Sequence, residues 1–258
     1  VMQLRRVRLQ QKFGAAATEY DRLAQFQHLQ TRRVLDSALM VLPETATLLD
    51  VGCGTGYFAH TAKDRRPAWK VIGLDLAYGM CDMAKTRCVA LNADAARLPL
   101  GDASIDGAVS SLCYQWVENQ PAAFAELARV LKPQSRAIIA SLGQHTLHEL
   151  RGCAMQAQLP LGLLSMQTFD ASADALRAAG FNIILANKQL EVVHYPSVAA
   201  LLDSMRRIGA GNHGERGAGS FVGPKRWARM ISAYENLREA RGIPATWEHH
   251  FFVVSKRS

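Results

Sequence analysis

The stretch Leu48-Leu49-Asp50-Val51-Gly52-Cys53-Gly54-Thr55-Gly56 decides the fold. TLLDVG (47–52) is a short apolar run closed by glycine and reads as a buried strand. GCGTGYFAHTAKDR (52–65) then reads as a glycine turn opening a helix. Glycines placed there let backbone approach a ligand closely. Their spacing is G-x-G-x-G, not the G-x-G-x-x-G of dinucleotide oxidoreductases, which disfavours a nicotinamide dehydrogenase. No Lys-Ser/Thr pair follows, so the turn is not a phosphate-gripping P-loop. With Asp50 just ahead of it, the turn offers N–H donors and a carboxylate, which suits a ligand carrying both an amine and a carboxylate.

Outward from this stretch, WKVIGLD (69–75), CVALNAD (88–94), SIDGAVSS (104–111) and RAIIASLG (136–143) read as strands. Helical patterns lie between them at 78–86 and at 121–131, the latter stopped by Lys132-Pro133. Strands alternating with helices of this length imply right-handed βαβ units and a doubly wound, parallel sheet. Upstream, 16–41 reads as a single amphipathic helix stopping before Pro43, with Ala24, Leu29, Val34, Leu35, Ala38 and Leu42 on its apolar stripe. Downstream come helices at 146–157 and 171–179, a strand NIILANKQLEVVHY (182–195), and a final strand HHFFVVSK (249–256). The basic helical stretch between those strands contains Gly209-Ala210-Gly211-Asn212-His213-Gly214, a tightly turned or mobile run. The expected organisation is an N-terminal helical cap (1–44), a ligand-binding core (45–195), a helical lid (196–245) and the last strand of the core (246–258).

Three acids follow the strands in series: Asp50, Asp75 and Asp94. In an open parallel sheet, ligands bind outside the carboxyl ends of the strands, so these three point to one crevice. Asp75 is placed to accept from both hydroxyls of a ribose, and Asp94 to accept from an exocyclic amine, with the Ala95 N–H beside a ring nitrogen.

The chain has 258 residues, of which 49% are hydrophobic and 20% charged, a globular composition. It contains no apolar run long enough to span a bilayer. VMQLRRVRLQ (1–10) lacks the apolar segment of a secretory signal. Five cysteines with no CxxC pair suggest neither a disulfide framework nor a metal site, and a reduced, cytoplasmic setting is expected. Net charge is +8, and it is unevenly spread: +4 in residues 1–40, −2 in 41–205 and +6 in 206–258. The basic ends suit an anionic macromolecule. Trp227, Tyr234 and Trp247 do not alternate with the basic residues in a stacking pattern, which disfavours nucleic acid.

LLDVGCGTG (48–56), VIGLD (71–75), NADAARLPL (92–100), SIDGAVSS (104–111) and LARVLKPQSRAIIASLG (127–143) together resemble a class I S-adenosylmethionine-dependent methyltransferase. The resemblance implies a Rossmann-like α/β fold, with a seven-stranded, mostly parallel sheet whose last strand is antiparallel. It also implies S-adenosylmethionine as cofactor, S-adenosylhomocysteine as product, and no metal. Gly52 and Gly54 would lie at the methionine part, and Asp50, Cys53, Leu76 and Ser111 would also border the cofactor. Asp75 would lie at the ribose, and Met80, Asp94 and Ala95 at the adenine. FGAAATEYDRLAQFQ (13–27), SSLCYQWVENQP (110–121), SLGQHTLHEL (141–150) and SMRRIGAGNHGERG (204–217) resemble, more narrowly, the malonyl-acyl-carrier-protein O-methyltransferases of biotin synthesis. That family methylates the free carboxylate of a malonyl thioester, and its implied partner is an acidic acyl carrier protein bearing malonyl-phosphopantetheine. A methyltransferase for another small acid, a quinone or RNA, and a non-catalytic cofactor-binding regulator, remain alternatives. Residues 156–168 match neither pattern.

A carboxylate is already ionised at neutral pH, so methylating it calls for no general base. What remains is orientation and partial desolvation. Arg206 and Arg207 are candidate anchors for the substrate carboxylate, or else helix-end charges that favour the macrodipole. Tyr20, Trp116 and His145 are further substrate-side candidates, and His194 and His213 lie in or near the expected lid. Arg216, Lys225, Arg226 and Arg229 would form a carrier-docking patch.

Overall fold

The computed structural model describes residues 2–208, 210 and 223–258, the first five of these as backbone only. Gly209, Gly211, Asn212, His213, Gly214 and Arg216 lie outside the described residues. Seven strands form one sheet: β1 (Ala46–Val51), β2 (Trp69–Asp75), β3 (Val89–Asn92), β4 (Ile105–Ser111), β5 (Leu131–Leu142), β6 (Phe181–Tyr195) and β7 (Ile243–Lys256). Their order is β3-β2-β1-β4-β5-β7-β6. The first five are parallel, and β7 runs antiparallel between β5 and β6. This is the doubly wound, mostly parallel seven-stranded sheet that the sequence implies.

The side-chain period of two along β1 divides the core. Leu48 joins α2 (Gln25–Val41) and α3 (Tyr57–Lys63) on one face, packing with Val34, Leu35, Ala38 and Phe58. Leu49 and Val51 join α5 (Gln120–Val130) and α7 (Phe169–Ala178) on the other, packing with Phe124, Leu127 and Leu176. Leu48 and Leu49 are fully buried, and each such side chain contributes about 1.5–3 kcal/mol. A third cluster lies beyond the ends of β5 and β7. There α6 (His148–Gln156), α8 (Val198–Arg207) and α9 (Pro224–Glu235) meet Ile243, Ala245 and Trp247.

Three expectations change. The single helix at 16–41 is two helices, α1 (Met2–Leu23) and α2, separated at Ala24, whose ψ of 40° leaves the helical region. Ala24 is completely buried at this corner. The break lets α1 lie on α4 (Tyr78–Ala84), with Ala17 against Ala77 and Met80, while α2 stays on the sheet. Leu29 is consequently 45% exposed, and Thr31 turns inward instead, donating to the Ser111 hydroxyl at 3.1 Å. The third strand ends at Asn92, so Asp94 sits in the following turn, where its Oδ1 accepts from Ala96 N at 2.9 Å. The last strand begins at Ile243 instead of 249, because pairing with β6 continues to Tyr195 across Pro244. Proline gives no donor to a ladder and masks such a strand in the sequence.

Candidate active site

The glycine turn sits at the carboxyl end of β1. Gly52 and Cys53 both donate to the Leu74 carbonyl, at 2.7 and 3.0 Å, which ties the turn to β2. Gly52, Gly54 and Gly56 have φ of 75°, 54° and 83°, a left-handed conformation that excludes most side chains. A Cβ on Gly52 would stand 2.3 Å from that of Cys113, whereas a Cβ on Gly54 would meet nothing within 4 Å. The turn is therefore closed towards β4 and open at Gly54, where it lines a cavity of about 320 Å³. That volume suits a small cofactor.

Asp75 ends β2 on the cavity lining. Its Oδ2 accepts from Gly54 N at 3.0 Å and its Oδ1 from Ala77 N at 2.8 Å. A carboxylate has about four lone-pair sites, so acceptor capacity remains for the hydroxyls of a ligand. Burial pushes the Asp75 pKa up, and the backbone N–H groups of Ala77, Gly54 and Leu76 oppose the shift. Leu76, Met80, Asp94, Ala95 and Ser111 line the same cavity, as does Tyr20 from α1. Burial, then the charges of Asp75 and Asp21, keep the Tyr20 phenol protonated. The end of α1 is latched to the glycine turn by Asp21, which accepts from the Thr55 hydroxyl and pairs with Arg87 at 2.8 Å.

Asp50 and Cys53 do not line the cavity. Asp50 is 3% exposed, beneath the turn. Cys53 packs against Gly73, where an added Cβ would come within 2.8 Å of its sulfur. Burial and the Asp75 charge push the Asp50 pKa up to about 7. Between pH 4 and 7 the folded state therefore holds a proton that the unfolded chain releases, and this contribution to stability is lost as pH rises through that window. Its ceiling is about 4 kcal/mol, from about 1.4 kcal/mol per pH unit. Asp50→Asn is expected to gain stability relative to wild type between pH 5 and pH 8, read by denaturant unfolding at both. Parallel pH profiles for the two proteins would refute this.

A methyltransferase-domain family matches residues 49–139. The chain is 34% identical to the "Biotin biosynthesis bifunctional protein BioHC" of Saccharophagus degradans over 97% of its own length, but spans only 47% of that protein. It is also 34% identical to the "Malonyl-[acyl-carrier protein] O-methyltransferase" of Xylella fastidiosa, covering 93% of this chain and 84% of that one. The chain belongs to the malonyl-[acyl-carrier protein] O-methyltransferase family. A solved SAM-dependent methyltransferase from Thermotoga maritima shares the fold, with a TM-score of 0.57 at 18% identity over 96% of this chain and 99% of that one.

In this methyltransferase the cavity continues past the glycine turn towards β5 and β7. Trp116 lines it on a short 3-10 turn after β4, edge-on to Phe13 with ring centroids 5.4 Å apart. The neighbouring Gln115 donates to Leu112 O at 2.7 Å, and its buried Oε1 has no partner among the described residues. His145 is outside the cavity and exposed, because its own N–H is held by Glu248 Oε2 at 2.6 Å. Arg206 and Arg207 are also outside, 73% and 50% exposed, and both pair with Asp203, at 3.3 and 3.8 Å. From that segment Met205, Ile208 and Ala210 line the cavity instead. His194, near the end of β6, pairs with Glu239 at 2.8 Å and is likewise not on the lining.

Part of the lining has no clear mark in the sequence. Leu163, Leu164 and Met166 come from the stretch that matched no pattern, and their apolar character was its only signal. Phe26 and Trp247, with ring centroids 4.9 Å apart, join the lining from opposite ends of the chain. Arg151, on α6, is the only cationic side chain among the described residues of the lining.

Proposed function

We propose that this chain transfers a methyl group from S-adenosylmethionine to the free carboxylate of a malonyl thioester on acyl carrier protein, giving a methyl ester that primes pimeloyl assembly for biotin. The observation that carries the reading is a single cavity. One end has the ribose-type acceptor Asp75 beside an open glycine turn, and the other is apolar and holds one cation. The names of the relatives support the same reaction. Bound S-adenosylmethionine supplies a methyl group on a sulfonium, an electrophile that a carboxylate attacks directly.

Each residue then has a limited task. Gly54 leaves room for the cofactor, Asp75 takes its sugar hydroxyls, and Met80, Asp94 and Ala95 border its base. Tyr20 and Trp116 cover the reacting region and thin the water around the acid, which raises its reactivity. No side chain has to move a proton, and no metal is assigned a step. The malonyl arm enters over the apolar segment formed by Leu163, Leu164 and Met166.

Lys225, Arg226 and Arg229 are exposed on α9, and Arg226 donates to Gln158 O at 3.3 Å, beside that segment. We assign this face to the acidic carrier. The double substitution Lys225→Glu and Arg226→Glu is expected to raise KM for malonyl-carrier about tenfold with kcat within twofold, and added salt should do the same to wild type. Unchanged KM would remove the patch from the mechanism. The reaction itself is tested with labelled S-adenosylmethionine and malonyl-carrier. A base-labile methyl ester should form, and acetyl-carrier, lacking the free acid, should stay unlabelled. Equal labelling of both, or of neither, rejects the reading.

A further inference from the structure

Three acids and one arginine line the cavity among the described residues. Asp75 closes β2, Asp94 follows β3 and Glu118 follows the short turn after β4, while Arg151 stands in α6 beyond the end of β5. β2 and β5 are three strand spacings apart in the sheet, roughly 14 Å. Asp75 and Arg151 thus stand at opposite ends of the cavity.

Arg151 is held differently from the other arginines considered. Its Nε donates to Thr146 O at 3.2 Å and its Nη2 to Leu164 O at 2.6 Å. Both acceptors are neutral carbonyls, and no carboxylate among the described residues contributes to its environment, where burial alone acts on its pKa and lowers it. The side chain is half-buried, so its charge is partly desolvated and uncompensated. A guanidinium has five N–H donors in a rigid fork, and two are used here. The remainder form an anion site that is pre-oriented by the two carbonyls and short of one partner. Arg206 and Arg207, by contrast, are solvated and already paired.

We propose that Arg151 grips the free carboxylate of the substrate and so selects an acid over a neutral acyl group. The assignment rests on the methyl-transfer reading above and names the residue that gives the site its substrate class. One carboxylate oxygen held by the fork leaves the other to face the methyl donor, and the geometry resists the neutral acyl chain because the charged fork would then stay buried without a partner.

Malonyl-pantetheine and acetyl-pantetheine differ by the carboxylate, and their affinities are read by calorimetry on protein saturated with S-adenosylhomocysteine. Wild type is expected to prefer the malonyl compound about 100-fold. Arg151→Gln should bind S-adenosylhomocysteine as wild type does and keep less than a threefold preference, while Arg151→Lys should keep the preference reduced about tenfold. A Gln variant that retains the full preference overturns the proposal. So does one whose S-adenosylhomocysteine affinity falls tenfold with the preference intact, since the fork would then serve the cofactor's own carboxylate. If the Gln variant does not fold, Arg151→Lys decides: a tenfold smaller preference supports the proposal and an unchanged one overturns it. Methyl-ester formation by wild type keeps the two readings apart. A preference that Arg151→Gln abolishes, with no ester formed by wild type, would retire the malonyl reaction and leave Arg151 as a carboxylate site.

Discussion

Asp75→Ala is expected to weaken S-adenosylhomocysteine binding at least 100-fold. The carboxylate is fixed by the Gly54 and Ala77 N–H groups, so it meets a ligand already oriented and with acceptor capacity to spare. Two hydroxyl bonds to a charged acceptor contribute about 1.5–3 kcal/mol each. Asp75→Asn keeps the shape but replaces one acceptor with a donor, and should lose nearly as much. Folding is affected less, because removing a buried charge offsets the two N–H groups left without their acceptor. Calorimetric titration with S-adenosylhomocysteine, on protein whose unfolding midpoint is measured alongside, checks this. A dissociation constant within threefold of wild type for both variants would dissolve the assigned cofactor site.

The second large effect is on stability. Gly52→Ala places a Cβ 2.3 Å from Cys113 Cβ and 2.5 Å from its sulfur, at a φ of 75°. Left-handed backbone strain and overpacking each cost about 1–3 kcal/mol, so a loss of about 4 kcal/mol is expected in denaturant unfolding. The clash is with a Cβ, so Cys113→Ala should not relieve it and Cys113→Gly should recover about half. Unfolding of Gly52→Ala at the wild-type midpoint would show that the turn yields where the packing says it cannot.

The features legible in the sequence are those written into a few neighbouring residues. The glycine spacing gave the turn, and the acid closing the second strand gave Asp75. The short apolar run TLLDVG, closed by glycine, gave a buried strand. Helical phase was legible too, and it bears against Arg206 and Arg207. Val198, Leu201 and Met205 form the buried stripe of α8, so the two residues after Met205 rotate away from it. Position in the chain had suggested them as anchors, whereas periodicity places them in solvent. His145 gave no such warning, because what turns it outward is Glu248, more than 100 residues later on β7.

By itself the sequence determined the doubly wound sheet, through the βα alternation, and the glycine turn and Asp75 at its carboxyl edge, because each rests on contacts within a turn or between one strand and the next helix. Only the tertiary structure decided the other end. Phe26, Arg151, Leu164 and Trp247 belong to four separate segments, and nothing local marks them as neighbours. They converge because the chain breaks at Ala24, α6 packs beyond β5, and β7 returns between β5 and β6. A lone arginine on an amphipathic helix has no distinguishing neighbourhood in sequence. Its meaning comes from burial without a counter-charge, and burial is a property of the assembled fold.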